Sequence, residues 1–134
     1  MKYIRLFEEL QPVIKYYDDG QKMESWFLNG KHHREDGPAV ERWLKNGQKF
    51  EESWWLNGKY HRENGPAVQY WYPNGQKEGH WFLNGKHHRE DGPAYQLWDE
   101  NGKKLQQAWI LNDIQYTREE WLEQLKKIDS EKYE

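Results

Sequence analysis

Hydrophobic residues along this chain fall into short segments that favour extended backbone, and polar turn signals separate them. The extended segments are rich in Trp, Tyr and Phe, which are typical of β-strands: 39–45, 48–56, 66–73, 76–83, 94–100 and 103–111. The turn signals are Asp-Gly or Asn-Gly dipeptides that begin at residues 19, 29, 46, 57, 74, 84 and 101, and the weaker Asn112-Asp113 ends the series. Asn and Gly both tolerate the positive φ that a two-residue type I′ hairpin turn requires. The pattern therefore predicts a mainly β fold, an antiparallel meander of repeated hairpins.

One stretch of sequence occurs three times. Residues 28–40 return almost unchanged at 56–68 and again at 83–95, in steps of 28 and 27 residues. Repetition at such a period indicates a stack of similar units, each of which buries the apolar face of its neighbour. We therefore expect a repeated surface rather than a single active site.

The turns also make predictions about chain direction and register. The segment Arg34-Glu35-Asp36-Gly37-Pro38 and its copies at 62–66 and 89–93 combine Gly, Pro and Asp or Asn, and we expect each to reverse the chain. Asn57 follows Asn46 by 11 residues, whereas Asn84 follows Asn74 by 10. A one-residue slip would turn every side chain to the other face of the sheet, so we expect a bulge near residues 78–80.

The end of the chain changes from a strand pattern to a helical one. Thr117 followed by Glu120 is a capping-box pattern, and Trp121, Leu122, Leu125 and Ile128 then recur at helical spacing. We predict a C-terminal α-helix over residues 117–128 that caps the last repeat. The length suits a single domain over 1–134, with a degenerate N-terminal unit at 1–20 and repeats of about 27–28 residues at 21–113.

Composition narrows the function classes. Only 35% of the 134 residues are apolar, but nine Trp residues argue that the chain folds around aromatic side chains. The formal net charge is −3 and no basic block is present, which disfavours nucleic acid as a partner. Without cysteine there is neither a disulfide framework nor a thiolate metal site. The longest apolar run is Ala108-Trp109-Ile110-Leu111, so no membrane span is expected, and a cytoplasmic location is the default.

The repeated His, Arg and Asp or Asn residues are the first candidate site. They are His33, Arg34, Asp36, His61, Arg62, Asn64, His88, Arg89 and Asp91. A hydrolase or a metal-dependent enzyme is one interpretation, but a metal site needs ligands that converge, and these copies stand one repeat apart. We favour a structural role in which Arg bonds the carbonyls or the carboxylate of its own turn, and a repeated binding stripe is the other alternative. No cofactor, metal or catalytic residue is predicted.

Aromatic side chains are the second candidate site. Most of the Trp residues are expected in the core, but one sheet and one short helix cannot bury both faces. Trp55, Tyr70, Tyr72 and Phe82 are the rings that we expect to form an exposed binding patch. Such rings can stack on carbohydrate or on single-stranded bases, although the second of these ligands is disfavoured by the lack of a basic groove.

Two sequence segments resemble a known protein family. Tyr16-Tyr17-Asp18-Asp19-Gly20-Gln21-Lys22 and Trp26-Phe27-Leu28-Asn29-Gly30-Lys31 resemble the variant MORN repeats of bacterial antitoxin-like proteins, and the likeness covers roughly residues 13–113. The His-Arg-Glu-Asp-Gly-Pro-Ala motif, together with the later segment Thr117–Trp121, is similar to sequences found in repeat proteins of phages and giant viruses. The resemblance implies an elongated, twisted sheet.

The function that the resemblance implies is that of a non-enzymatic module that binds another protein. A phage-type or antitoxin-like inhibitor that masks its partner, in the host cytoplasm if the protein is viral, is the favoured form. Open sheet edges suggest homo-oligomers as well. Ordinary MORN proteins also suggest a binder of membrane lipids, but Gly-Pro-Ala stands here where their units end in Gly-x-Gly, and a membrane partner is therefore disfavoured.

Overall fold

The computed structural model describes residues 11–132 and shows a mainly β protein with a C-terminal helix. The strands are β1 (Pro12–Tyr16), β2 (Lys22–Leu28), β3 (Lys31–His32), β4 (Val40–Trp43), β5 (Lys49–Ser53), β6 (Trp55–Leu56), β7 (Lys59–Tyr60), β8 (Val68–Trp71), β9 (Lys77–His80), β10 (Phe82–Leu83), β11 (Lys86–His87), β12 (Tyr95–Trp98), β13 (Lys104–Leu111) and β14 (Ile114–Tyr116). The helix is α1 (Arg118–Lys132). Residues 1–10 of the predicted N-terminal unit lie outside the described residues.

The strands form an antiparallel meander. Ten of them make one sheet in the order β1-β2-β4-β5-β8-β9-β12-β13-β14, with β3 beside the end of β2. Two short ladders, β6–β7 and β10–β11, follow directly after β5 and β9. The predicted fold class, repeated antiparallel hairpins followed by a C-terminal helix, is confirmed.

Two kinds of hairpin turn alternate along the chain. Both central residues have positive φ, as type I′ requires, at Asn29-Gly30, Asn57-Gly58, Asn84-Gly85 and Asn112-Asp113. The prediction of type I′ was wrong at the turns around Gly20, Gly47, Gly75 and Gly102, where only the glycine has positive φ.

The turn at Gly47 shows the physical reason for the second kind. Gly47 N–H donates to the Leu44 carbonyl at 2.9 Å and Leu44 N–H donates to the Gln48 carbonyl at 2.8 Å, which closes a three-residue loop. The side-chain oxygen of Asn46 accepts the Gln48 N–H at 2.9 Å. This local bond holds Asn46 in an ordinary right-handed conformation and leaves the left-handed position to glycine.

The spacing of the turns depends on β-bulges. The register of β4 with β5 shifts between Arg42 and Trp43, which leaves Phe50 as an extra residue, and the register of β12 with β13 shifts in the same way at Leu105. β8 and β9 pair without any shift. The bulge expected near residues 78–80 was therefore assigned to the wrong strand: the segments with 11-residue spacing contain it, and those with 10-residue spacing do not.

The Gly-Pro segments leave the sheet without reversing the chain. β3 pairs with the C-terminal end of β2 and β4 pairs with its N-terminal end, both antiparallel, so β3 and β4 run in the same direction. The residues between β3 and β4 form a loop that leaves the sheet beside β2. The chain then re-enters the sheet beside β2 and continues in the same direction. The predicted reversal was wrong, because the described reversals of the meander occur at the Asp-Gly, Asn-Gly and Asn-Asp hairpin turns. We call residues 34–38, 62–66 and 89–93 the Arg-loops.

Alanines at the ends of the Arg-loops hold neighbouring strands together. Ala39, Ala67 and Ala94 have no exposed surface. Ala67 N–H donates to the His80 carbonyl at 2.8 Å, and its carbonyl accepts Trp54 N–H at 2.6 Å. Each alanine is thus bonded through its backbone to the strand before it and the strand after it, and its complete burial favours a small side chain at this position.

Helix α1 begins with the predicted capping box. Thr117 N–H donates to Glu120 Oε1 at 3.0 Å and Glu120 N–H donates to Thr117 Oγ1 at 3.2 Å, and these bonds lower the pKa of the Glu120 carboxyl. The helix continues to Lys132, four residues beyond the predicted end. Trp121 is its only buried residue, because most of the helix surface faces away from the sheet.

Candidate binding surfaces on the two faces of the sheet

One face of the sheet carries a continuous row of rings that contact each other. The row, here called the aromatic ladder, consists of Phe27, His32, Trp55, Tyr60, Phe82 and His87. Each hairpin supplies two rings, one before and one after its Asn-Gly turn, because residues opposite each other in a hairpin point to the same face. The ladder therefore crosses three hairpins.

Neighbouring rings of the ladder are in contact, stacked at Phe27–His32 and Phe82–His87 and tilted at the other three contacts. Successive ring centroids are 4.6, 5.0, 4.0, 5.0 and 4.1 Å apart, and the interplanar angles lie between 15° and 41°. Every ring of the ladder is half-buried. Since the inner rings have a neighbour on both sides, they present mainly their edges to the surroundings. Carbohydrate stacking requires an open ring surface, so the geometry disfavours that ligand.

Further rings extend this face toward the other end of the strands. His80 links the ladder to Tyr95, with ring centroids 5.0 Å apart, and Tyr70 lies between His80 and Tyr72, with centroids 6.4 and 6.1 Å away. We call the ladder together with Tyr70, Tyr72, His80 and Tyr95 the ring face. The four rings predicted as a binding patch, Trp55, Tyr70, Tyr72 and Phe82, all lie on it.

A chain of polar contacts runs through the ring face. The Tyr72 hydroxyl donates to Glu78 Oε2, His80 Nε2 lies 3.2 Å from Glu78 Oε1, and His80 Nδ1 lies 3.1 Å from His87 Nε2. Burial and then the hydrogen bond to Glu78 raise the pKa of Tyr72, while burial and the charge of His80 lower the pKa of His87. The network therefore favours a protonated tyrosine and a neutral imidazole at its two ends.

A second carboxylate, that of Glu51, is half-buried on the same face. Burial raises the pKa of Glu51, although Arg42, whose Nη1 lies 3.5 Å from Glu51 Oε1, acts in the opposite direction. Burial, with the charge of Glu51 as the next cause, raises the pKa of Tyr60 and of Tyr70. The ring face therefore combines aromatic edges with partly desolvated polar groups, a composition typical of protein interfaces.

The opposite face, here called the loop face, is covered by the Arg-loops. The Arg62 guanidinium lies 4.0 Å from the Trp54 ring centroid, and a Cβ at Gly65 would stand only 2.8 Å from Arg62 Cζ. The same sandwich occurs at Trp26, Arg34 and Gly37 and at Trp81, Arg89 and Gly92. The guanidinium also donates to its own loop: Arg89 Nε bonds Asp91 at 2.8 Å and Nη1 bonds the Pro93 carbonyl at 3.1 Å. These arginines stabilise the loops, as the structural interpretation expected.

The repeated histidines join each repeat to the next. His33 Nδ1 accepts the Asn57 N–H at 2.9 Å, His61 Nδ1 accepts the Asn84 N–H at 3.0 Å, and His88 Nδ1 accepts the Asn112 N–H at 3.0 Å. Accepting these bonds requires Nδ1 without a proton. Each imidazole is thus engaged by the backbone of the following turn, one repeat away from the next histidine.

The acidic and amide residues of the Arg-loops are the exposed part of the loop face. The side chain of Asp36 is 86% exposed and that of Asp91 is 78% exposed, and Asn64 is exposed as well. Between successive Arg-loops lie two open clefts of about 380 and 230 Å³, the first lined by Trp54 and His61 and the second by Trp81 and His88. Within residues 11–132, no three His, Asp or Glu side chains are grouped so that they could hold a metal ion.

The thirteen predicted site residues therefore separate into two sets on opposite faces. The nine His, Arg and Asp or Asn residues lie on the loop face in three similar groups, and the four rings lie together on the ring face. The predicted binding patch left out His32, Tyr60, His80, His87 and Tyr95, which also belong to the ring face. A signal was present, because residues 32, 60 and 87 occupy the same aromatic or imidazole position of the repeat.

Comparisons with known proteins add no family assignment. No model of a known protein family matches the sequence, and no curated protein is significantly similar to it. Within the described part of the chain, no helix has the length and apolar character needed to cross a lipid bilayer.

Proposed function

We propose that this protein is a non-enzymatic repeat module that binds another protein through its ring face, as variant MORN repeats of antitoxin-like and viral proteins suggest. The observation that carries the proposal is the continuous, half-buried row of rings that crosses three hairpins. Monomeric proteins seldom leave so many neighbouring rings partly exposed unless the surface is used for binding. Aromatic residues are also the side chains most enriched at the energetic centres of protein interfaces.

The form of the surface favours a protein over other ligands. Ring edges, tyrosine hydroxyls and the polar chain from Tyr72 to His87 suit a partner that offers both apolar side chains and backbone carbonyls. Masking of the partner is the proposed consequence, since occupation of a broad, rigid surface would cover a site on the bound protein. The proposed location is the cytoplasm, of the host cell if the protein is viral.

The alternative functions have less support. For a hydrolase or a metal enzyme, the loop-face histidines would have to converge, yet each is bonded to a different turn. For a lipid binder, a basic surface would be expected, yet Arg34, Arg62 and Arg89 are stacked on tryptophan and bonded within their own loops. No observation favours either alternative over protein binding.

Quantitative affinity capture with matched variants tests the proposal. Trp43 and Trp71 directly follow Arg42 and Tyr70 in β4 and β8, so by alternation they point to the loop face. The full chain, a ring-face variant (Tyr70→Ala with Phe82→Ala) and a loop-face variant (Trp43→Ala with Trp71→Ala) are used as baits in cells of the natural source, after circular dichroism has shown that all three are folded. We expect a specific protein to be retained by the full chain and the loop-face variant and lost by the ring-face variant. Equal retention by all three baits would refute binding through the ring face.

A further inference from the structure

The two ends of the sheet present edges of complementary type. Each hairpin unit consists of a first strand and a second strand, and β1, β4, β8 and β12 are first strands whereas β2, β5, β9 and β13 are second strands. Inside the chain, every second strand is followed by the first strand of the next unit, as β5 is followed by β8. The described sheet begins with a first strand, β1, and ends its run of full-length strands with a second strand, β13.

The outer side of β13 is open over half of its length. β14 pairs only with Trp109, Ile110 and Leu111, and residues 104–107 are exposed. Helix α1 packs near Trp109 and leaves this half of the strand free. The Ala94 N–H donates to the Ala108 carbonyl, so by alternation the backbone groups of Gln107 point away from β12 toward the open side.

The outer side of β1 is exposed where its counterparts are buried. Val13 is 55% exposed, while Val40 and Val68, which occupy the same position in their strands, are 6% and 3% exposed. Those valines are covered because a second strand pairs beside them, Ser25 opposite Val40 and Ser53 opposite Val68. Among the described residues, β1 has no strand on its outer side. β1 therefore has the sequence of an inner strand and the exposure of an edge strand.

We propose that copies of this protein assemble head to tail, with β1 of one copy paired antiparallel to β13 of the next. The pairing continues the internal β5–β8 interface across two molecules. β13 carries the same bulge as β5, so the register follows β5–β8, in which Ser53 faces Val68 and Glu51 faces Tyr70. The equivalent pairs are Ala108 with Val13, Gln107 with Ile14 and Gln106 with Lys15.

This contact differs from a symmetric dimer. Because the two edges are different surfaces, each copy uses both, and the assembly grows as an open chain or closes into a ring. The ring faces of successive copies would then line up, as they do for successive repeats within one chain. The ring face and the assembly edge are separate surfaces, so either proposal can fail without the other.

Cysteine pairs test the register directly, because the chain has no cysteine of its own. β1 and β13 stand at opposite ends of the described strand order, so a disulfide between Val13→Cys and Ala108→Cys forms only between molecules. We expect this double variant to give a series of disulfide-linked oligomers of increasing size under mild oxidation. The control, Ile14→Cys with Ala108→Cys, places its thiols on opposite faces of the sheet and is expected to remain largely monomeric.

Sedimentation velocity of the full chain over a range of concentrations supplies the second measurement. We expect the weight-average mass to rise with concentration and this rise to be lost in Gln107→Pro, which removes one N–H from the open edge and keeps the bonds to β12. The proposal would be overturned if the full chain were a monomer at every concentration and the double cysteine variant formed no disulfide-linked oligomers. The single variant Val13→Cys supplies a further check. If it formed covalent dimers in the same yield as the double variant, the proposal would be overturned, because such dimers would indicate symmetric pairing of β1 with β1.

Discussion

The indole of Trp121 lies on the indole of Trp109, with ring centroids 4.6 Å apart, and its Nε1–H donates to the Arg89 carbonyl at 3.1 Å. In the earlier repeats a guanidinium covers the equivalent tryptophan. At Trp109 the helix supplies the closer cover with the Trp121 indole, and the Arg118 guanidinium lies farther away, 5.6 Å from the Trp109 ring centroid. This contact completes the stack on the loop face.

Replacement of Trp121 tests the importance of this contact. We expect Trp121→Ala to lower the free energy of unfolding by about 3 kcal/mol, because it removes a buried ring and exposes Trp109. Leu122→Ala, at a neighbouring residue that is 39% exposed, should change it by no more than about 0.5 kcal/mol. Urea denaturation followed by tryptophan fluorescence measures both, and equal effects would contradict a specific capping role.

Gly65 tests the packing of the Arg-loops. Its φ lies outside the left-handed region, so alanine is allowed by the backbone, but the added Cβ would meet the Arg62 guanidinium. We expect Gly65→Ala to cost about 2 kcal/mol. In the background of Arg62→Ala the same substitution should cost much less, and the double-mutant cycle measures this coupling. Additive effects would show that glycine is needed for another reason.

Two serines at equivalent positions should respond to alanine in opposite directions. Ser53 Oγ accepts the Trp55 Nε1–H at 2.8 Å, whereas Ser25 Oγ is buried without a partner among the described residues, since Phe27 stands where Trp55 does. Ser25→Ala should therefore raise the free energy of unfolding by about 1 kcal/mol and Ser53→Ala should lower it by about 1 kcal/mol. Thermal denaturation monitored by circular dichroism distinguishes the two; a loss in both variants would contradict the idea.

Single-residue deletions test the bulge. Leu105 is the extra residue of β13, so its deletion should give an unbulged strand of the same kind as β9 and keep the fold. Deletion of Glu78 from the unbulged β9 should turn the side chains on one side of the gap to the wrong face and unfold the protein at room temperature. Backbone amide spectra of the two variants give the answer, and tolerance of both deletions would refute a fixed register.

Two imidazoles of the aromatic ladder make stability depend on pH. Burial lowers the pKa of His32, and burial with the charge of His80 lowers the pKa of His87, so the folded state favours both rings neutral. Their contribution is fully present above the unfolded pKa of about 6.5 and is lost as the pH falls toward the lowered values. We expect the free energy of unfolding to decrease between about pH 7 and 5.5.

The chain offers a natural control for this dependence, because Tyr60 occupies the same ladder position in the second repeat. His32→Tyr with His87→Tyr should flatten the decrease across that interval, since tyrosine does not titrate there. Urea denaturation of both proteins at several pH values measures the slopes. Unchanged slopes would assign the dependence to other groups.

Local sequence predicts the hairpins well and their connections poorly. The positions of the turns and the capping box at Thr117 depend on neighbouring residues, and all of them lie where the pattern indicates. The direction of the Arg-loops was mispredicted because it depends on Trp54, a residue eight positions before Arg62 that provides the surface on which the guanidinium stacks. A contact with a residue outside the loop overrides the turn preference of Gly and Pro.

The ring face was predicted in part for a similar reason. Period-two alternation places Trp55 and Tyr60 on one side of a hairpin, which the structure bears out with their centroids 4.0 Å apart. The inclusion of His80 and Tyr95 depends on the register between β9 and β12, two strands that are separated along the chain by the β10–β11 hairpin and an Arg-loop. Such long-range register is not visible in any single segment.

The two backbone hydrogen bonds that each of Ala39, Ala67 and Ala94 makes have an evolutionary consequence. Each alanine lies at an equivalent junction between neighbouring strands. Excision or duplication of the residues from one such alanine to the next would therefore rejoin matching backbone on both sides. Recombination within the gene could then lengthen or shorten the molecule by whole units while every remaining junction stays the same. The length of the ring face would then change in steps of one repeat.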